Sequence, residues 1–160
     1  MDDLKRYCLD TLVRAVHDRH HGWRVPVIST VSARGPQGRC VILRGVQRDP
    51  LLLEFFTDRR SGKVVDLVAD CRMQWTFWNP KAQEQLRVWS EVEMLLEGTV
   101  VDQAWSRVPA YAWRDYATAT SGTAEVDMAQ ARSNFVLGRA LVTGVEFLRL
   151  SRDGHVTLEF

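Results

Sequence analysis

Between positions 39 and 63 the chain sets out Arg39, Arg44, Arg59, Arg60 and Lys63, with the hydroxyls of Thr57 and Ser61 among them. Guanidinium, ammonium and hydroxyl donors at this density suit an anionic group such as a phosphate, and they supply no nucleophile or general base of their own. Ser61 precedes the run KVVDLVAD at the point where a helix would begin, so the free amides of a first turn would add to the same anion site. No GxSxG elbow, HExxH or paired-carboxylate signature is present, and Cys8, Cys40 and Cys71 lack CxxC spacing or the context of a nucleophile. His17 and His21 have an i,i+4 zinc spacing, but histidines in a last helical turn suit the helix dipole, Gly22 follows as a stop, and no third ligand is evident. Chemistry beyond binding would therefore have to come from a cofactor.

The elements that must position these groups are legible as strands and one short helix. RCVILRGV (39–46) reads as one strand, QRDP as a turn at Asp49-Pro50, and LLLEFFTD (51–58) as its antiparallel partner. Arg39 and Arg44, five residues apart, fall on opposite faces of the pleat, while Arg59, Arg60 and Lys63 gather where the second strand meets the helix. Leu4, Cys8, Leu12 and Val16 predict an amphipathic helix over residues 3–20 that covers the sheet. Further strands are predicted over 25–32, 71–78, 85–96, 141–151 and 155–160. In the long strand Leu86, Val88 and Ser90 take one face and Arg87, Trp89 and Glu91 the other. Asp102 is expected to cap a short helix through Arg107, Pro109 to open another through Tyr116 from an N1-like position, and residues 124–134 to form one more. Hairpins in succession, without long helical crossovers, predict a mainly β fold: an antiparallel barrel with peripheral helices.

At 160 residues the chain is expected to form a single domain, 1–160, able to bury its core without metal or disulfide staples. A net charge of +1 argues against nucleic acid as a partner. Three cysteines that show no CxxC spacing and cannot all pair, no leader-like segment and no long apolar run give the expectation of a soluble cytoplasmic protein with no membrane partner. Of the six tryptophans, Trp75, Trp78 and Trp89 are assigned to the core or to a subunit interface.

Four short motifs in order, RCVILR (39–44), FTD (56–58), SGK (61–63) and EQLR (84–87), resemble the FMN-binding core of the pyridoxamine 5'-phosphate oxidase-like split-barrel flavoproteins, over about residues 25–125. The resemblance implies a six-stranded antiparallel split β-barrel and FMN as cofactor, the flavin lying between the subunits of a homodimer. Residue by residue it implies phosphate contacts from Arg39, Ser61 and Lys63. Val41, Ile42 and Leu43 would run along the flavin ring, Arg44 would be the basic residue ending that motif, and Phe56 and Thr57 the aromatic-threonine pair. Gln85 would reach the flavin from the neighbouring subunit, and Thr120 and Ser121 would stand near the family's Gln-Ser pair. Where the pyridoxamine phosphate oxidases carry an arginine between the serine and lysine, this chain has Gly62, and Arg59 or Arg60 is expected to supply the cation that Gly62 does not. Their tryptophan in the strand matching residues 145–148 is replaced by Leu148, and only His155 stands near their later arginine and histidine. No second phosphate site is legible, which argues against pyridoxamine phosphate as substrate. The function implied is FMN-dependent oxidation or reduction of a small organic molecule at flavin N5; the alternative is a non-catalytic module binding FMN, a deazaflavin or haem.

Overall fold

The computed structural model describes residues 2–117 and 127–160. The elements in chain order are α1 (Asp2–His17), β1 (Val27–Ser32), β2 (Gly35–Cys40), β3 (Gly45–Arg48), β4 (Leu51–Asp58), α2 (Gly62–Ala69), β5 (Arg72–Asn79), β6 (Glu84–Leu95), α3 (Thr99–Ser106), a 3-10 turn (Ala110–Asp115), α4 (Met128–Asn134), β7 (Phe135–Arg149) and β8 (Val156–Glu159). All strand pairings are antiparallel, in the order β2-β1-β5-β6-β7-β4-β3, with β8 added on β7.

That order forces the sheet to close. β2 and β3 stand at opposite ends of it, yet only residues 41–44 separate them. Five chain steps reach at most about 18 Å, whereas seven strands laid flat would put the outer two about 29 Å apart. The linking segment stays extended and passes from one wall to the other. The Val41 and Leu43 amides donate to Pro26 and Arg24 carbonyls ahead of β1, and the Arg44 amide donates to Glu54 on β4. The single strand expected over 39–46 is thus two strands joined by an extended bridge, because its two halves pair with different walls. Among the described residues the sheet has eight strands rather than six, partly for this reason; the class, mainly β with peripheral helices, is the one expected.

Inside the barrel the inward positions of β1, β4, β5, β6 and β7 are mostly apolar, as alternation predicts: Ile28, Leu53, Phe55, Trp75, Phe77, Leu86, Val88, Val145 and Phe147 are all buried, with Thr30, Thr57 and Ser90 as buried polar residues among them. Helix α1 lays Cys8, Leu12 and Ala15 onto this core, at a spacing that returns to one face of a helix, and ends at His17 rather than at residue 20. Its N-terminal half is tied down by buried Glu84 at the start of β6, which accepts from the Tyr7 hydroxyl at 2.9 Å and from Arg149 Nε at 2.9 Å.

A second, smaller core lies on the outer face of β4 and β7, where α3, the 3-10 turn and α4 gather Trp105, Trp113, Tyr116 and Ala131 around Phe56 and Phe135. This cover explains why β7 begins at Phe135, six residues before the expected start. Residues 135–138 are buried on both faces, so the sequence shows a continuous apolar run instead of alternation. Asp102 does not cap α3. Gly98, at φ +106°, precedes the helix, and the Asp102 carboxylate takes Arg132 at 2.7 Å. Pro109 stands just before the 3-10 turn as its cap residue, outside the N1-like place expected.

Candidate functional site

Helix α2 seats its first turn over one end of the barrel, and there four of the expected residues meet. The Lys63 ammonium donates to Thr57 Oγ1 at 2.9 Å and to Ser61 Oγ at 3.2 Å, and the two hydroxyls lie 3.2 Å apart. Ser61 is the residue ahead of α2, yet its hydroxyl makes no capping bond to the helix; it is turned toward Lys63 instead. Arg39 approaches from β2. It is the register partner of Ile28, and cross-strand partners share a face, so it points to the same side as Ile28 and Thr30. One terminal guanidinium nitrogen donates to Asp66 Oδ2 at 3.1 Å, while the other terminal nitrogen, NH1, is buried without a partner among the described residues.

The electrostatics of this corner are unbalanced. Burial pushes the Lys63 ammonium below the usual lysine range and the nearby Arg39 guanidinium pushes it further. Asp58, the remaining carboxylate close by, is engaged by Arg60 at 2.6 Å. Two cations and two hydroxyls therefore converge with an unused donor among them, which is the donor set of an oxyanion. The phosphate of FMN fits it, and these residues would hold that group.

The other expected residues separate from this cluster. Along residues 39–44, Val41 and Leu43 face the core with Arg39, whereas Ile42 is 37% exposed and Arg44 lies on the outer side. Neither the amide nor the carbonyl of Ile42 is engaged by another described residue. Phe56 and Thr57, adjacent on β4, necessarily face opposite ways. Thr57 joins Lys63, and Phe56 enters the second core with the Arg44 guanidinium 5.2 Å from its ring. Burial holds Arg44 below the ordinary arginine range. Arg107 of the loop after α3 stacks on the same ring at 5.3 Å, while also pairing with Glu54 at 3.2 Å. Sequence reasoning did not single out Arg107; its position 63 residues after Arg44 carries no local signal.

Arg59 and Arg60 do not supply the cation absent at Gly62. Arg60 closes on Asp58 and on the Tyr116 and Ala117 carbonyls, and Arg59 turns to the Ser133 carbonyl. The space beside Gly62 is open. Gln85 lies far from the cluster within one chain. Thr57 is the register partner of Val136, and the next residue of β7, Leu137, pairs with Leu95, ten residues beyond Gln85 and roughly 33 Å along the strand. Thr120 and Ser121 lie outside the described residues. Trp75 is a core residue, whereas Trp78 and Trp89 are 40% and 39% exposed on the outer face of β5 and β6. Among the described residues no three His, Cys, Asp or Glu side chains form a metal-binding group, and no helix is long and apolar enough to cross a membrane.

Comparison with known proteins places this geometry. No curated protein sequence matches the chain. Among solved structures it is similar to a pyridoxamine 5'-phosphate oxidase-related, FMN binding protein from Nostoc punctiforme, with TM-score 0.69 and 16% identity over 97% of this chain and 96% of the other. It is also similar to PhzG from Burkholderia lata, with TM-score 0.71 and 19% identity over 98% and 83%. A heme binding protein from Mycobacterium smegmatis shares the fold at TM-score 0.58 and 14% identity, over 92% of this chain and 57% of that one. At such identities the likeness is one of fold. A sequence model of the pyridoxamine 5'-phosphate oxidase FMN-binding domain matches residues 7–95, more than half of the 160, and spans all four motifs and both walls of the anion cluster. The chain belongs to the pyridoxamine 5'-phosphate oxidase FMN-binding-domain family.

Proposed function

We propose that this protein binds FMN and acts as an FMN-dependent oxidoreductase on a small organic substrate, as a homodimer. The observation that carries the reading is the corner where Lys63, Thr57 and Ser61 are joined by hydrogen bonds beside Arg39, whose NH1 has no partner among the described residues. Arg39, Lys63, Ser61 and Thr57 would hold the phosphate, and the free peptide groups of Ile42 would face the ring's polar edge. When bound, FMN supplies the redox chemistry through N5 of its ring.

The chain's own residues would orient the ring, exclude water and anchor the substrate. Arg44 and Arg107, both against Phe56, favour a substrate that carries an anionic group, although Glu54 already neutralises part of Arg107. The homodimer is supported by the outer faces of β1, β5 and β6. Val27, Val31, Trp78 and Trp89 are exposed there on neighbouring strands, an apolar patch of the kind that marks an interaction surface. Gln85 lies on the same face of β6 as Trp89, so a second copy docked there would bring a Gln85 to the seam.

Purified protein is expected to be yellow, to take up about one FMN per chain, and to be bleached by a reduced nicotinamide or by its substrate. Failure to bind added FMN overturns the proposal. A non-catalytic binding module is the second reading, and one observation favours it: Asp58 and Asp66, the carboxylates beside the cluster, are both tied up in ion pairs and leave no free acid or base there. FMN that binds stoichiometrically but is reduced by no donor would decide for that module. The heme binding relative makes haem titration the natural control.

A further inference from the structure

A carboxylate stands beside a site built for an anion, and that arrangement calls for a reason. Asp66 is the fourth residue after Gly62 in α2 and is only 14% exposed. A negative charge there opposes a phosphate, so its contribution has to be geometric. A single carboxylate oxygen, Oδ2, accepts from Thr30 Oγ1 at 2.8 Å and from Arg39 at 3.1 Å. Thr30 is itself buried on β1, so the acceptor is held from two sides, by a strand and by the helix that carries Lys63. The guanidinium is planar with donors in a fixed fork, so fixing one terminal nitrogen fixes the direction of the other. That other nitrogen is NH1, buried and without a partner among the described residues.

Taking FMN binding as proposed above, we infer that Asp66, anchored by Thr30, is a positioning residue: it clamps Arg39 so that NH1 is presented to the phosphate, making the site selective for FMN over riboflavin. Without the clamp Arg39 has a long flexible stem, a like charge on Lys63 and no reason to stay at the corner. Charge alone predicts the reverse, since deleting a carboxylate near an anion site should tighten anion binding. The two accounts therefore differ in sign for the same substitution.

The test titrates the intact protein, freed of flavin, with FMN and with riboflavin, and records the thermal midpoint of each variant. Wild type should prefer FMN. Asp66→Ala should lose roughly tenfold to a hundredfold in FMN affinity, the size of one charge-assisted hydrogen bond, with riboflavin affinity unchanged. Asp66→Asn, whose side-chain oxygen can still accept from Thr30 and Arg39 but carries no charge, should restore FMN binding to wild-type strength or better. Should Asp66→Ala not fold, Thr30→Val removes one anchor of the clamp and should give a smaller loss confined to FMN. Undiminished FMN affinity in Asp66→Ala, or an equal loss for both flavins, overturns the clamp. Wild type that binds the two flavins equally removes the phosphate site itself, an outcome distinct from a variant that keeps its preference.

Discussion

The Lys63 ammonium donates to Thr57 Oγ1 at 2.9 Å, joining the first turn of α2 to the end of β4 across the mouth of the barrel. This bond orients both groups toward the place an anion would take. Lys63→Ala removes the cation and should weaken FMN binding by roughly tenfold to a hundredfold, with a much smaller effect on riboflavin. Fluorescence quenching of each flavin measures the split.

Ser61 separates ligand binding from helix stability. Its hydroxyl makes no capping bond, so Ser61→Ala should change stability by less than about 0.5 kcal/mol, the low end of a cap's worth. FMN affinity should fall about fivefold to tenfold through loss of a neutral hydrogen bond. Denaturant melts and flavin titrations of one variant check both halves.

The pH dependence follows from the lowered pKa of Lys63. In the free chain burial, then Arg39, hold this group below the ordinary lysine value of 10.5, and a bound anion would raise it again, so binding takes up a proton. FMN affinity should fall as pH rises through the depressed range, and it should also fall below about pH 6, where the phosphate loses its second charge. Stability of the ligand-free chain runs the other way. The unfolded chain holds the Lys63 proton more tightly, so this residue's penalty is present at neutral pH and fades as pH rises toward 10.5. Titrations and melts from about pH 5 to about pH 10 would show the two trends with opposite slopes.

Gly138 tests the closure of the barrel. A Cβ there would sit 2.3 Å from two ring atoms of Phe55, which is fully buried and set edge-on to Trp75 at 5.7 Å. The ring cannot swing away, so Gly138→Ala should cost about 1–3 kcal/mol and lower the melting temperature by about 3–10 °C.

Glu84 holds α1 to the barrel through Tyr7 and Arg149. Glu84→Ala leaves both donors without their acceptor and should cost about 2–4 kcal/mol, toward the lower end because Arg149 can turn to water. Glu84→Gln keeps an acceptor and should lose less. Urea denaturation ranks the two.

Local patterns were enough for much of this. Alternation marked β4, β5 and β6 to within a residue or two, Asp49-Pro50 marked the turn, and Ser61 marked the start of α2, because each signal lies within a few residues of what it specifies. The order of RCVILR, FTD, SGK and EQLR was likewise enough for the family.

What the sequence alone determined, then, was the span of β4, β5 and β6, the start of α2 and the set of donors a phosphate would need. Tertiary structure decided how that set divides. Closure of the sheet through residues 41–44 sends Arg39 and Thr57 to Lys63, and sends Arg44 and Phe56 to the other side of the same wall with Arg107. It also pairs Arg39 with Asp66 and turns Arg60 away to the Tyr116 and Ala117 carbonyls. These choices depend on which distant strands and helices meet, and a side chain's partner across a closed barrel leaves no periodic trace in the chain that carries it.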